Sequence, residues 1–248
     1  LFKRVKAIYN QREQLSLTAE QQTLLEKTYK SFTRNGANLS LDDKGRLRKI
    51  DKELATLKLK FSENALAETQ HYQWVITDKN TLSGLPDFVL EMLAQEAKKR
   101  KVQGWVITLD LPVYTAVMKY ADNRDLRQKL FTDYHSRCAG ESAYNNEDNV
   151  LHIAQLRQAR ASLLGYPNYA TFALEERMAE TPEKVIAFLN EQLAKDKPQA
   201  LKELEELKTF SSLTDFQQWD FAYYAEKLKQ ERYQIDDLLL KPYLALDK

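Results

Sequence analysis

Residues 40–61 read SLDDKGRLRKIDKELATLKLKF, and this stretch decides the fold class. Ser40-Leu-Asp-Asp43 has the form of a capping box, in which side chains at a helix start satisfy backbone donors that have no partner inside the helix. Beyond it Leu47, Ile50, Leu54, Leu57 and Phe61 recur at spacings of three and four, which places all five on one stripe of a helix reaching to about Gln70. A stripe of that kind must pack on neighbouring elements.

Upstream, residues 1–14 are helix-like in composition, and Thr18-Ala-Glu-Gln21 forms another capping box ahead of a helix that runs to Gly36, a natural C′ residue. Downstream the periodicity switches. Tyr72-Gln-Trp74-Val-Ile76-Thr77 and Gly104-Trp105-Val106-Ile107-Thr108-Leu109 are short and rich in β-branched and aromatic residues, which predicts two strands pairing across an intervening helix. Leu85-Pro86-Asp87 opens that helix, and Lys98-Lys99-Arg100-Lys101 ends it. Helices are expected to resume over 113–121, 124–138 and 147–164, the last closed by Gly165. Thr181-Pro182-Glu183-Lys184 then marks a helix start, with Thr as cap, Pro at the first helical position and an acid facing the positive end of the dipole. Pro198 is expected to kink or divide this helix, because its ring removes an interior hydrogen bond. Residues 210–218 read as a loop, Asp220 as the cap of a helix with Phe221, Tyr224 and Leu228 on one face, and Pro242 as the end of a last short helix. The fold class is therefore mainly α, with a small two-strand element near residues 72–77 and 104–109.

Composition narrows the function classes. In 248 residues 43% are hydrophobic, enough for a substantial core, whereas Gly and Pro number only six each, too few for a turn-rich β fold. Lys plus Arg (37) nearly balances Asp plus Glu (36), so no global field attracts nucleic acid or an anionic membrane, and partners are expected to be peptides or protein surfaces. The single Cys138 excludes an intrachain disulfide framework and a multi-thiolate zinc site, and fits a reducing, cytoplasmic location. No stretch of apolar residues is long enough for a membrane span, and the charged start Leu1-Phe2-Lys3-Arg4 does not resemble a signal peptide. The absence of an initiator Met reads as an excised segment.

Catalytic motifs are missing. The three histidines, His71, His135 and His152, have no second His at helical spacing, so HExxH, the helical zinc motif, is absent and each reads as a surface or structurally satisfied residue. His135 and Cys138 lie three apart on a predicted helix, but side chains on one helix face leave no oxyanion donor opposite, so a Cys nucleophile is not supported. There is no GxSxG, Walker loop or GxGxxG. The basic run 98–101 fits the negative end of a helix better than an import signal, and Glu203-Leu-Glu-Glu206 reads as solvated helix surface. No residue is assigned a catalytic, cofactor-binding or metal-binding role.

One set of segments carries more. In order along the chain come Asn80-Thr-Leu-Ser-Gly84-Leu85-Pro86, Val106-Ile-Thr-Leu109-Asp-Leu-Pro112-Val-Tyr114 with Met118-Lys-Tyr120-Ala121, and Arg124-Asp-Leu-Arg127 with Leu130-Phe131. Leu164-Gly165-Tyr166-Pro167-Asn168-Tyr169-Ala170 and Arg177-Met178-Ala179-Glu180-Thr181-Pro182-Glu183 follow, then Trp219-Asp220, Tyr223-Tyr224-Ala225-Glu226 and Leu240-Lys241-Pro242-Tyr243. The ordered set resembles the thimet oligopeptidase and peptidyl-dipeptidase family of zinc metallopeptidases, and the Arg177 segment looks closest to its bacterial peptidyl-dipeptidase branch. Departures are Gln218 where the family often has Pro, Phe221 where Trp is frequent, and Leu244 where Phe usually follows Pro-Tyr.

What the resemblance implies is a neurolysin-like helical half-ellipsoid bordering a deep channel, with the HExxH helix, the third zinc ligand and the transition-state donors all downstream of this chain. The whole of 1–248 would be a helical non-catalytic portion of a larger peptidase, or would divide into a long-helix segment 1–70 and a helical subdomain 71–248. It would contribute channel wall, hold no cofactor itself and be inactive alone, with one zinc ion expected in the full-length parent. Its partners would be short peptides and the missing catalytic half, with no nucleic acid and no membrane, and exposed apolar surface would favour self-association. The alternative is a stand-alone helical scaffold or interaction module.

Overall fold

The computed structural model describes residues 1–234, and the expected helix end at Pro242 and the segment Leu240–Tyr243 lie outside them. Among the described residues the chain forms ten α-helices and one two-stranded sheet: α1 (Phe2–Asn10), α2 (Ala19–Arg34), α3 (Leu41–His71), β1 (Trp74–Ile76), α4 (Asp87–Lys99), β2 (Trp105–Ile107), α5 (Leu111–Tyr120), α6 (Arg124–His135), α7 (Glu147–Leu163), α8 (Tyr169–Leu174), α9 (Pro182–Ser211) and α10 (Gln218–Tyr233). The fold is mainly α, as the residue pattern predicts. The chain groups into two compact units, one made of residues 1–61 and 148–188, the other of 62–147 and the residues from 189 onward. Helices α3 and α9 each run through both.

In the first unit the capping box of α2 forms in full: the Gln21 amide donates to Thr18 Oγ1 at 3.3 Å and the Thr18 amide donates to Gln21 Oε1 at 3.0 Å. The helix ends as expected at Gly36, whose φ of +79° lets its amide reach the Thr33 carbonyl and that of Ala37 reach Phe32. A Cβ at Gly36 would meet Leu47 Cδ2 at 2.4 Å, so glycine there permits both the cap and the approach of α3. At the start of α3 the Asp43 amide donates to Ser40 Oγ at 3.1 Å. The stripe on α3 is only partly used, with Leu47 and Leu54 buried and Phe61 exposed. Tyr9 of α1 stacks on Tyr29 of α2 with ring centroids 3.8 Å apart.

The second unit holds the larger apolar core. Antiparallel pairing sets Trp74 opposite Ile107, Val75 opposite Val106 and Ile76 opposite Trp105, with α4 between the strands in sequence. Val89, Leu93 and Ala97 recur at spacings of four and form the buried face of α4. They pack with Ile107, Leu109, Val113, Val117, Leu126 and Leu130 from β2, α5 and α6. Val89, Leu93, Ile107, Val117 and Leu130 are fully buried, each contributing about 1.5–3 kcal/mol relative to exposure.

Four expectations need correction. Helix α6 stops at His135 rather than at Cys138, because Cys138 turns to a φ of +58° and its amide donates to the Glu68 carboxylate. Pro198 does not divide α9, which is unbroken from Pro182 to Ser211. Its neighbours on both sides are exposed, so the carbonyl of Ala194, four residues back, can turn to water instead of the missing amide. The loop before α10 is consequently shorter than 210–218. Finally, Asp220 is not the residue before α10 but lies in its first turn, where it accepts a hydrogen bond from the Gln217 amide at 3.0 Å.

Candidate functional site

In α6, Leu126 and Leu130 face the core, and Arg127 is carried inward with them. A guanidinium 1% exposed cannot stay charged without partners. Arg127 has a full set. Its Nη1 donates to the carbonyls of Ala121 at 2.7 Å and Asp122 at 3.2 Å, its Nε to that of Trp219 at 3.2 Å, and its Nη2 to Asp220 Oδ1 at 2.9 Å. The face of the guanidinium lies 4.1 Å from the centroid of the Tyr223 ring.

Asp220 is itself fully buried. Besides Arg127 and the Gln217 amide it accepts from Arg124, whose Nε lies 3.1 Å from both carboxylate oxygens and whose Nη2 lies 2.8 Å from Oδ2. Burial alone would push the Asp220 carboxyl up, but the hydrogen bonds from Arg124, Gln217 and Arg127 outweigh it and hold it below the usual carboxylate range. A second carboxylate extends the network. Asp122 accepts from Tyr223 Oη at 2.8 Å and from Ser83 Oγ at 2.9 Å, with Lys227 3.6 Å away, and these partners hold it below its ordinary value against burial. Burial and the Asp122 hydrogen bond push the Tyr223 phenol up to about 12. On α10 the buried Glu226 faces Lys119 of α5 at 3.1 Å and Lys229 at 3.4 Å. Gly84 completes the seam: at a φ of +84° it passes so close that a Cβ would meet the Tyr120 carbonyl oxygen at 2.3 Å.

The first unit has a smaller counterpart. Arg34 stacks on Phe172, 4.1 Å from the ring centroid, donates to the Phe172 carbonyl at 2.8 Å and pairs with Glu175. Tyr166 Oη donates to Glu175 at 2.7 Å. Burial opposes ionisation of Glu175, but Tyr166, Arg34 and Lys30 together hold its carboxyl below the usual range.

The residues singled out for possible chemistry are dispersed. His71 Nδ1 lies 2.7 Å from the Ala67 carbonyl and 3.3 Å from Tyr144 Oη, His135 Nδ1 lies 2.9 Å from the Phe131 carbonyl, and His152 faces Glu53 at 3.2 Å. Cys138 is not on a helix with His135, and burial together with Glu68 pushes its thiol up, away from the reactive thiolate. Among the described residues no three His, Cys, Asp or Glu side chains are grouped so that they could hold a metal ion. The donor set of the described residues thus does not fit a catalytic zinc site. In the basic run, Arg100 donates to Glu96 at 2.6 Å and to the carbonyls of Tyr72 and Gln70 at 3.1 Å, tying the end of α4 to the end of α3.

What the structure does bring together is part of the signature set. Gly84, Lys119, Tyr120, Arg124, Arg127, Trp219, Asp220, Tyr223 and Glu226 come from five of the quoted segments and meet in one seam joining α5, α6 and α10. A model of the family described as Peptidase family M3 matches residues 117–248, a span that begins in α5 and takes in this seam. The chain belongs to peptidase family M3.

Individual M3 relatives agree. The chain is 32% identical over 241 residues to Oligopeptidase A of Escherichia coli (strain K12), covering 94% of this chain and 35% of that protein. Probable cytosolic oligopeptidase A of Arabidopsis thaliana is 34% identical over 264 residues, covering 100% of this chain and 37% of that protein. Dipeptidyl carboxypeptidase of Escherichia coli (strain K12) is 30% identical over 255 residues, with the same two coverages. The chain therefore spans about a third of the length of the curated relatives it matches. No helix among the described residues is long and apolar enough to cross a membrane.

Sequence reasoning recognised the members of the seam without their role. Arg127 could have been flagged, since it lies between Leu126 and Leu130 on a helix whose apolar residues must face inward, and a charge there demands a buried partner. The Arg34 cluster had no such signal, because its partners come from residues more than 130 positions away.

Proposed function

We propose that this chain is a helical, non-catalytic portion of a zinc-dependent M3 peptidase that acts on short peptides, and that it contributes to the wall through which substrates reach the catalytic centre. The observation that carries this reading is the seam itself. The residues that mark the family are engaged in one another: each oxygen of Asp220 is met by a guanidinium, and the Arg127 nitrogens point to three carbonyls and that carboxylate. Such a set holds helices in register and leaves neither a free base nor a nucleophile for peptide hydrolysis. The oligopeptidase and dipeptidyl carboxypeptidase names of the relatives support short peptides as the substrate class, and the span of about a third of their length supports chemistry supplied elsewhere in the polypeptide. A cytoplasmic location fits the single cysteine and belongs to the same proposal.

The test is to incubate the purified chain with an N-terminally blocked oligopeptide, with and without a chelator, and to follow products by mass spectrometry. The substrate should remain intact in both. Chelator-sensitive release of dipeptides or internal fragments would overturn the proposal.

A further inference from the structure

Helix α2 gives way to Asn35-Gly36, a pair that combines a reactive side chain with an unhindered neighbour. Asparagine is thermally labile, because the backbone nitrogen of the next residue can attack its side-chain carbonyl carbon. Glycine, with no Cβ beside that nitrogen, obstructs the attack least. This fold cannot exchange the glycine for a safer residue. At its φ of +79° an added Cβ would meet Leu47 Cδ2 at 2.4 Å and Leu39 Cδ1 at 3.0 Å.

The turn holds the two reacting atoms apart in three ways. The Gly36 amide donates to the Thr33 carbonyl at 2.9 Å, which keeps its proton in place. Asn35 Nδ2 donates to the Ser31 carbonyl at 2.9 Å, which draws the side chain back along the helix. With Asn35 at a ψ of 19°, the Gly36 nitrogen lies on the side of the Asn35 amide nitrogen and away from the side chain. Turning that peptide would pull the buried Gly36 off Leu47 and Leu39, so the locks open together. Asn35 itself is exposed, and water reaches it without rearrangement.

We propose that Asn35-Gly36 is a gated site of self-modification, closed while the α2 cap is formed and able to react once the turn opens. The Gly36 nitrogen loses its proton and bonds to the Asn35 side-chain carbonyl carbon, while the side-chain nitrogen takes up a proton and leaves as ammonia. Water then adds to one of the two carbonyls of the cyclic imide and opens it. The product is aspartate or isoaspartate at position 35, with no change of oxidation state. The new carboxylate has no proton to donate to the Ser31 carbonyl and stands at the negative end of the α2 dipole. Isoaspartate also lengthens the backbone by one atom just before Gly36, so the cap cannot re-form and the opening becomes irreversible.

The test, independent of the peptidase reading, is to incubate the 248-residue chain at mildly alkaline pH, folded and in guanidinium chloride. Proteolysis and mass spectrometry then follow the peptide that contains residue 35. Conversion is expected in guanidinium chloride and should be about tenfold or more slower in the folded chain, since local opening of a packed helix end costs free energy. Leu47→Ala, which loosens the contact over Gly36, should speed conversion in the folded chain and leave the denatured rate unchanged. If circular dichroism shows that this variant does not fold, Leu39→Ala relieves the second contact and takes its place. Equal rates in the folded and denatured chain, no conversion in guanidinium chloride, or a folded rate indifferent to the leucine substitution would each overturn the proposal.

Discussion

Replacing Asp220 by Asn tests the seam at its centre. The amide keeps the shape of the carboxylate but removes the charge that balances Arg127, which is 1% exposed, and turns one of two acceptors into a donor facing a guanidinium. Removing one partner of a buried ion pair costs about 3–5 kcal/mol, because the remaining charge stays desolvated. Arg124 is less committed: its side chain is 35% exposed and can turn to water, so Arg124→Gln should cost about 1 kcal/mol. Trp74, Trp105 and Trp219 all lie in the second unit, so tryptophan fluorescence during urea unfolding reports on that unit alone. With a denaturant slope of roughly 2 kcal/mol per molar, Asp220→Asn should lower its midpoint by about 2 M. A variant whose unfolding midpoint matches the parent within error would show that the pair behaves like a surface contact and does not hold the seam.

Three other outcomes follow from the same geometry. The folded-state carboxyl of Asp220 is held below its unfolded value of about 3.9, so its stabilisation is complete above that pH and is lost as pH falls through the lower folded value; the midpoint difference between parent and Asp220→Asn should therefore shrink below about pH 4. A difference constant from pH 7 to pH 3 would contradict this. Gly84→Ala forces a Cβ against the Tyr120 carbonyl at a φ of +84° and should destabilise the second unit by about 2 kcal/mol or more, read by the same fluorescence transition. Pro198→Ala restores an amide in an exposed helix interior and should stabilise the chain by about 1–2 kcal/mol in thermal unfolding, less than the full propensity difference because proline also restricts the unfolded chain.

Local structure was legible where a few neighbouring residues settle it. The Thr18 box, the Gly36 stop and the two strands depend on contacts within a handful of positions, and all form as the residue pattern predicts. Errors arose where solvent or distant contacts decide. Pro198 sits in a helix interior, yet solvent surrounds that turn and the break does not occur. Cys138 leaves the helical path because Glu68, seventy positions earlier, takes its amide. The residue pattern puts Phe221, Tyr224 and Leu228 on one face of α10, but the buried positions of the helix are Asp220 and Glu226, and Phe221 stays half exposed. A hydrophobic periodicity cannot show a face whose interior side is carboxylate. The ordered family segments located those residues, and only their three-dimensional meeting explains why an Arg-x-x-Arg in α6 and a Trp-Asp at the start of α10 belong together.

A chain that shapes a peptidase without holding its metal should bind no zinc of its own. Elemental analysis of the purified 248-residue chain, after incubation with excess zinc and extensive dialysis, measures this directly. Zinc far below one ion per chain is expected, whereas one tightly held zinc per chain would show that the chain carries its own metal site.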